Sequence, residues 1–76
     1  DCHIGQFAHV APGAVVAGGS HVGRSTLVGC NATVINGLRI GDYVTLAAGA
    51  VAVADIPDGV KALGVPARVM SSSDIN

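Results

Sequence analysis

The chain has 76 residues, a net charge of −1 and four Lys and Arg in all, which excludes the basic footprint of a nucleic-acid binder. No uninterrupted apolar run approaches the roughly 20 residues of a membrane-spanning helix, so no membrane partner is expected. Half of the residues are apolar, yet there is no Trp, one Phe and one Tyr against eleven Gly, a composition for a narrow interior of small aliphatics with many tight turns.

Taken in chain order, aliphatics recur every sixth residue: Ile4, Val10, Val16, Val22, Val28, Val34, Ile40 and Leu46. The residue that follows is small at Gly5, Ala11, Ala17, Gly23, Gly29, Gly41 and Ala47, with Ile35 the exception. Three residues after each aliphatic stand Phe7, Gly13, Gly19, Ser25, Asn31, Gly37, Tyr43 and Gly49. Gly and Asn recur there because they enter a positive-φ turn at least cost. Next come Ala8, Ala14, Ser20, Thr26, Ala32, Leu38, Val44 and Ala50, mostly small enough to pack inside a corner.

Hairpin strands alternate with period two and vary in length, whereas a constant period of six predicts short strands broken by equivalent turns. Three such strands close a triangular coil, and coils stack by strand pairing at about 4.8 Å. The fold class is therefore all-β, a parallel β-helix of about three coils over 4–21, 22–39 and 40–57. After Leu46 the rhythm is expected to break. Residues 50–70, AVAVADIPDGVKALGVPARVM, predict a last strand and then a loop that covers the open end, because an uncovered coil exposes unpaired backbone. The division is 1–54 for the coils, 55–70 for a C-terminal cap made of a loop and a strand, and 71–76, SSSDIN, for a polar tail.

His3, His21 and Arg39 fall one coil apart in one column, a cationic strip whose plain reading is a solvated edge. Cys2 and Cys30 form no CxxC pair and lie in different columns, so a disulfide would distort the stack; Cys2 is read as packing, and a reduced, cytoplasmic protein is the default. His3 and His9 sit on successive faces and do not give the three-ligand set that zinc requires, so no metal is expected. A three-coil prism only some 15 Å tall is too small to stand alone. The outward Phe7, Val15, Leu27 and Val51 are expected to be covered by neighbours in a homotrimer.

Beyond the repeat, the stretches DCHIGQFAHVAPGAVVAGG, IGDYVTLAAGAVAVADIPDG and GVPAR resemble the hexapeptide-repeat acetyltransferases. Within them, the match is to the C-terminal domain of the sialic-acid O-acetyltransferase and nucleotide-amino-sugar N-acetyltransferase family. The resemblance covers residues 1 to about 70. It implies a left-handed winding, opposite to the general preference of parallel crossovers. It also implies a trimer that holds acetyl-CoA, the acyl donor, between neighbouring prisms and passes the acetyl group to an amine or hydroxyl of a nucleotide-linked sugar or sialic acid. The attacking group must lose a proton to a base, and the tetrahedral intermediate needs a donor to its oxyanion.

In the family the base is a His directly ahead of the acid that Asp1 matches, and the carboxylate supports that imidazole. The chain is therefore expected to start just after its catalytic His, with a nucleotide-sugar domain further upstream. His9 matches the histidine beside the acetyl group. Gly18, Cys30 and Ala48 match positions where small size and a free N–H lie against the pantetheine arm, and Arg68 matches a cation that meets the CoA phosphates. Two other readings stand beside this one. The first is an inert trimeric scaffold lacking the base; the second is a metal enzyme of the gamma carbonic anhydrase type, whose histidine spacing the chain lacks.

Overall fold

A computed structural model describes residues 2–70. The six-residue period becomes nine two-residue strands: β1 (His3–Ile4), β2 (His9–Val10), β3 (Val15–Val16), β4 (His21–Val22), β5 (Leu27–Val28), β6 (Thr33–Val34), β7 (Arg39–Ile40), β8 (Thr45–Leu46) and β9 (Val51–Ala52). Two longer strands follow, β10 (Lys61–Leu63) and β11 (Arg68–Met70). They sort into three faces of a prism. The first is β1-β4-β7, the second β2-β5-β8-β10-β11 and the third β3-β6-β9. Pairing is parallel throughout the coils, with His3 opposite His21, His9 opposite Leu27 and Val15 opposite Thr33. No helix of the described residues is long and apolar enough to cross a membrane.

Every predicted corner residue has a positive φ: Phe7, Ser25, Asn31 and Tyr43 at 53–61°, and Gly13, Gly19, Gly37 and Gly49 at 74–78°. Phe7, Ser25 and Tyr43 share the corner between the first and second faces. A left-handed conformation costs such residues roughly 1–2 kcal/mol each, so the stack must hold them there. It does so with the aliphatic ladders. Val22, Val28, Val34, Ile40 and Leu46 are fully buried, each contributing about 1.5–3 kcal/mol. In the first coil the same ladders are open, and Ile4 and Val10 are 39% and 38% exposed.

The buried polar residues are satisfied by neighbouring coils. Thr26 Oγ1 donates to the Gly41 carbonyl at 2.6 Å and accepts from the Val44 N–H at 3.1 Å. Ser20 Oγ donates to the Ile35 carbonyl at 2.8 Å. At the first corner the close approach of coils demands glycine. A Cβ on Gly5 would lie 2.8 Å from the Arg24 nitrogen, and one on Gly23 would overlap the Gly41 carbonyl and the Asp42 carboxylate.

The rhythm does not break after Leu46; it contracts. Ile56 lies over Ile40, Lys61 over Thr45 and Ala62 over Leu46, an offset of 16 residues where earlier coils have 18. The missing residues fall at the turn before Ile56. His3 and His21 donate their N–H to the carbonyls of Ser20 and Leu38, whereas Arg39 donates to Asp55 Oδ1 at 2.9 Å. A carboxylate has replaced the peptide carbonyl of the shortened turn. The segment 55–70 holds β10, which continues the second face, and β11, antiparallel to it across a turn with a cis Val65–Pro66 bond.

Gly23→Ala is expected to lower stability by about 1–3 kcal/mol or more, because backbone of the next coil fills the space. Gly37→Asn, at φ 78° with no atom near its Cβ, should cost less than about 1 kcal/mol. Urea midpoints of the two variants check the pair, and equal losses would refute the close stacking at the first corner. Thr26→Val should cost about 1–3 kcal/mol by orphaning the Val44 N–H.

Candidate functional site

The three corners of the prism treat their backbone N–H groups differently. At the first corner, the N–H of Arg24 donates to Asp42 Oδ1 at 2.8 Å and that of Asp42 to Asp58 Oδ1 at 2.7 Å. Each aspartate thus caps the coil beneath it. At the second corner, between the second and third faces, the equivalent positions are Pro12, Cys30 and Ala48, which stack through Asn31 N–H to Pro12 and Gly49 N–H to Cys30. No hydrogen bond among the described residues uses the N–H of Cys30 or Ala48, and both residues are exposed. Gly18, exposed at the third corner, has the same open N–H.

His9 lies on β2, exposed, on the outward side of the second face, between the first corner and the second. Above it in register stand Leu27, Thr45 and Lys61. The His9 column thus runs up the second face, and the Pro12, Cys30 and Ala48 column runs up the corner at which that face ends, with the imidazole at the first coil and the open N–H groups at the second and third. Arg68 belongs to the same sheet at its far end, four strand spacings or roughly 19 Å from His9. Gly18 is not gathered into this edge: the third face separates the second corner from the third. Asp1 lies outside the described residues.

Other candidates sort plainly. His3 and His21 stack with ring centroids 4.5 Å apart and planes 12° apart, and Arg39 follows in the same column. Cys2, expected to pack, is exposed just ahead of β1, and both cysteines are free. Arg24 places its guanidinium 5.9 Å over the ring of Phe7. Phe7, Val15 and Leu27 are exposed as expected, whereas Val51 is half-buried. No group of three or more His, Cys, Asp and Glu among the described residues is placed to hold a metal ion. Sequence reasoning missed Lys61 and the three capping aspartates. Asp42 and Asp58 carried a signal, since each stands one coil above a first-corner position, whereas Asp55 meets Arg39 and Lys61 joins the His9 column only through the contraction.

No family model matches the chain. Individual proteins do. Over 74 residues it is 39% identical to 2,3,4,5-tetrahydropyridine-2,6-dicarboxylate N-acetyltransferase of Clostridium perfringens, covering 87% of this chain and 31% of that protein. The structure superposes on PerB of Caulobacter crescentus, solved with CoA and GDP-perosamine, with a TM-score of 0.92 and 42% identity over 93% of this chain and 34% of that one. It superposes on the acetyltransferase domain of PglB from Neisseria gonorrhoeae with a TM-score of 0.90 and 38% identity, covering 92% of this chain and 34% of that one. The same domain has been solved with acetyl coenzyme A.

The solenoid thus has the left-handed β-helix fold of the hexapeptide-repeat acetyltransferases to which it is similar. Among the solved structures, its likeness is to the sugar N-acetyltransferase PerB and the PglB domain, and it spans about a third of the length of these relatives.

His9→Asn and Ala48→Ser, at exposed positions, should leave stability within about 0.5 kcal/mol of the parent. Asp42→Ala should cost about 1–2 kcal/mol by uncapping the Arg24 N–H. Thermal unfolding of the three variants separates the capped corner from the open one.

Proposed function

We propose that the edge formed by His9, Cys30 and Ala48 is the acetyl-CoA face of an acetyltransferase whose acceptor is a nucleotide-linked amino sugar. The observation that carries this reading is the pair of unbonded N–H groups at the corner that ends a face carrying an exposed imidazole. An extended chain of amides, such as pantetheine, offers carbonyls at intervals and needs donors on a narrow surface free of side chains. Cys30 and Ala48 supply those donors, with side chains short enough to let the chain approach. His9 at the foot of the edge donates to the thioester carbonyl. Relatives solved with CoA, acetyl coenzyme A and GDP-perosamine support the donor and acceptor classes.

In the reaction, the amine nitrogen of the acceptor attacks the carbonyl carbon, a C–N bond forms, and negative charge gathers on the carbonyl oxygen opposite His9. Collapse breaks the C–S bond and releases the CoA thiolate. The amine proton passes to a base, which the resemblance assigns to a His ahead of Asp1, with the Asp1 carboxylate holding the imidazole. A hydrogen-bond donor aimed at such an oxyanion is worth about 10²–10³ in rate.

The site is completed by a neighbouring copy. Gly18, with its open N–H at the third corner, faces a ligand bound at the second corner only if it comes from an adjacent prism. A homotrimer provides that arrangement and covers the exposed Val15 and Leu27. The setting is the cytoplasm, where acetyl-CoA and nucleotide sugars are made.

Isothermal titration should detect acetyl-CoA binding in the micromolar range, and no heat at millimolar ligand would refute the role of His9, Gly18, Cys30 and Ala48. Ala48→Leu should weaken binding at least about tenfold, roughly 1.4 kcal/mol, without changing the unfolding temperature. Sedimentation at micromolar concentration should show a trimer; a monomer would remove Gly18 from the site.

A further inference from the structure

The first corner carries the one Phe and the one Tyr of the sequence, and both stand where neither backbone nor water favours them. Phe7 and Tyr43 have φ angles of 61° and 56°, in the left-handed region where the other two corners use Gly13, Gly19, Asn31, Gly37 and Gly49. Phe7 is 71% exposed and Tyr43 60%, so neither ring is held by the core. Bulky residues kept at strained, solvent-facing positions point to a use for the surface they make.

Planar polar groups surround the rings. Gln6, Arg24, Asp42 and Asp58 follow one another up the corner, and the N–H of Ser25, Tyr43 and Gly59 donate to the carbonyls of Gln6, Arg24 and Asp42. The Arg24 guanidinium lies over Phe7, which orders both side chains. Oδ1 of Asp42 and of Asp58 is fixed by a backbone N–H, leaving Oδ2 of each without a partner among the described residues. Carboxylates and a guanidinium next to an open ring face suit a sugar. The C–H bonds on one side of a pyranose form an apolar face that rests on the electron-rich face of an aromatic ring, and adjacent hydroxyls pair with a carboxylate or a guanidinium. An amino group on the sugar, when protonated, adds a cation that ring faces and carboxylates both attract.

Position agrees with this chemistry. Phe7 stands in the first coil two residues ahead of His9, at the corner where the second face begins. The open N–H groups of Cys30 and Ala48 lie at the corner where that face ends. The two sides of His9 therefore differ in kind, with small residues and bare N–H donors on one and a ring with planar polar groups on the other. We propose that Phe7, with Arg24 and Asp42 above it, is the platform for the pyranose ring of the acceptor, so that donor and acceptor meet at His9 from opposite corners. The platform rests on the amino-sugar acetyltransferase reading of the His9 face. Phe7 carries the apolar side of the sugar, while Arg24 and Asp42 Oδ2 take its hydroxyls. Tyr43, two coils or roughly 10 Å higher, lies beyond a single sugar ring.

Methyl glucosaminide, an amino pyranoside without a nucleotide, tests the platform by saturation-transfer titration of the full chain, and calorimetry with CoA reads the donor corner separately. The parent should bind the pyranoside in the millimolar range. Phe7→Asn should weaken it at least about fivefold and leave CoA within about twofold, whereas Phe7→Tyr and Tyr43→Asn should each hold the pyranoside within about twofold. Because Asn enters the left-handed region more readily than Phe, the unfolding temperature of Phe7→Asn should equal or exceed the parent's, with sedimentation unchanged. A Phe7→Asn chain that binds the pyranoside as well as the parent overturns the platform. One that melts lower or dissociates makes the ring a packing or subunit contact and overturns it too. The same holds if Tyr43→Asn loses the pyranoside as far as Phe7→Asn, or if GDP alone displaces it. A parent that binds the pyranoside but not CoA keeps the platform and removes the donor corner. One that binds CoA but not the pyranoside does the reverse, and binding of neither removes both.

Discussion

The prism closes only because the backbone turns left-handed once every six residues, and coils stack only where the residue after each aliphatic leaves room for the one above. Both demands fall on the corners. Phe7, Ser25 and Tyr43 meet the first at a steric cost that glycine would not carry, and Gly5, Gly23 and Gly41 meet the second in the same corner. The favourable side is the burial of Val22, Val28, Val34, Ile40 and Leu46 between coils. Strain and packing are therefore coupled. A corner residue is held by the ladder beside it, and the ladder exists because the corners repeat.

The same repetition leaves one N–H per corner pointing outward, and the chain disposes of these groups in two ways. Asp42 and Asp58 absorb them at the first corner with charge-assisted bonds of 2.7–2.8 Å. At the second and third corners no group among the described residues absorbs those of Gly18, Cys30 and Ala48. Unbonded donors on an exposed, small-residue edge are tolerable in water, since solvent satisfies them. They are also an inexpensive way to recognise a chain of amides, because no side chain must be ordered to do it. The chemistry of the edge thus follows from which corners received an aspartate.

Much of this was legible in the sequence. The six-residue recurrence from Ile4 to Leu46 specified the ladders, the faces and the positive-φ positions, because a solenoid repeats its physical demands at a fixed spacing. The column of His3, His21 and Arg39 followed from the same arithmetic. What escaped was whatever broke the arithmetic. The fourth rung was hidden because Ala62 is a small residue at an offset of 16 from Leu46, where only a search at 18 was natural. Asp55 gave no warning that its carboxylate would stand in for a peptide carbonyl. Cys2 read as apolar packing, yet it is exposed, outside the aliphatic ladder that begins at Ile4. The His9 edge was reached through resemblance; the residues alone left His9 a surface histidine.

The contraction at the third turn links fold to site. Were the 18-residue offset kept, Leu63 would stand over Thr45 and an apolar side chain would head the His9 column. Shortening the turn by two residues brings Lys61 there instead, with Arg68 on its diagonal across the hairpin. That shift leaves the Arg39 N–H without a carbonyl, and Asp55 repairs the loss from the far side of the prism. A carboxylate on the first face thus underwrites the position of a cation on the second. The electrostatic character of the hairpin end is a consequence of backbone register, and the register is stable because one side chain replaces one missing peptide group.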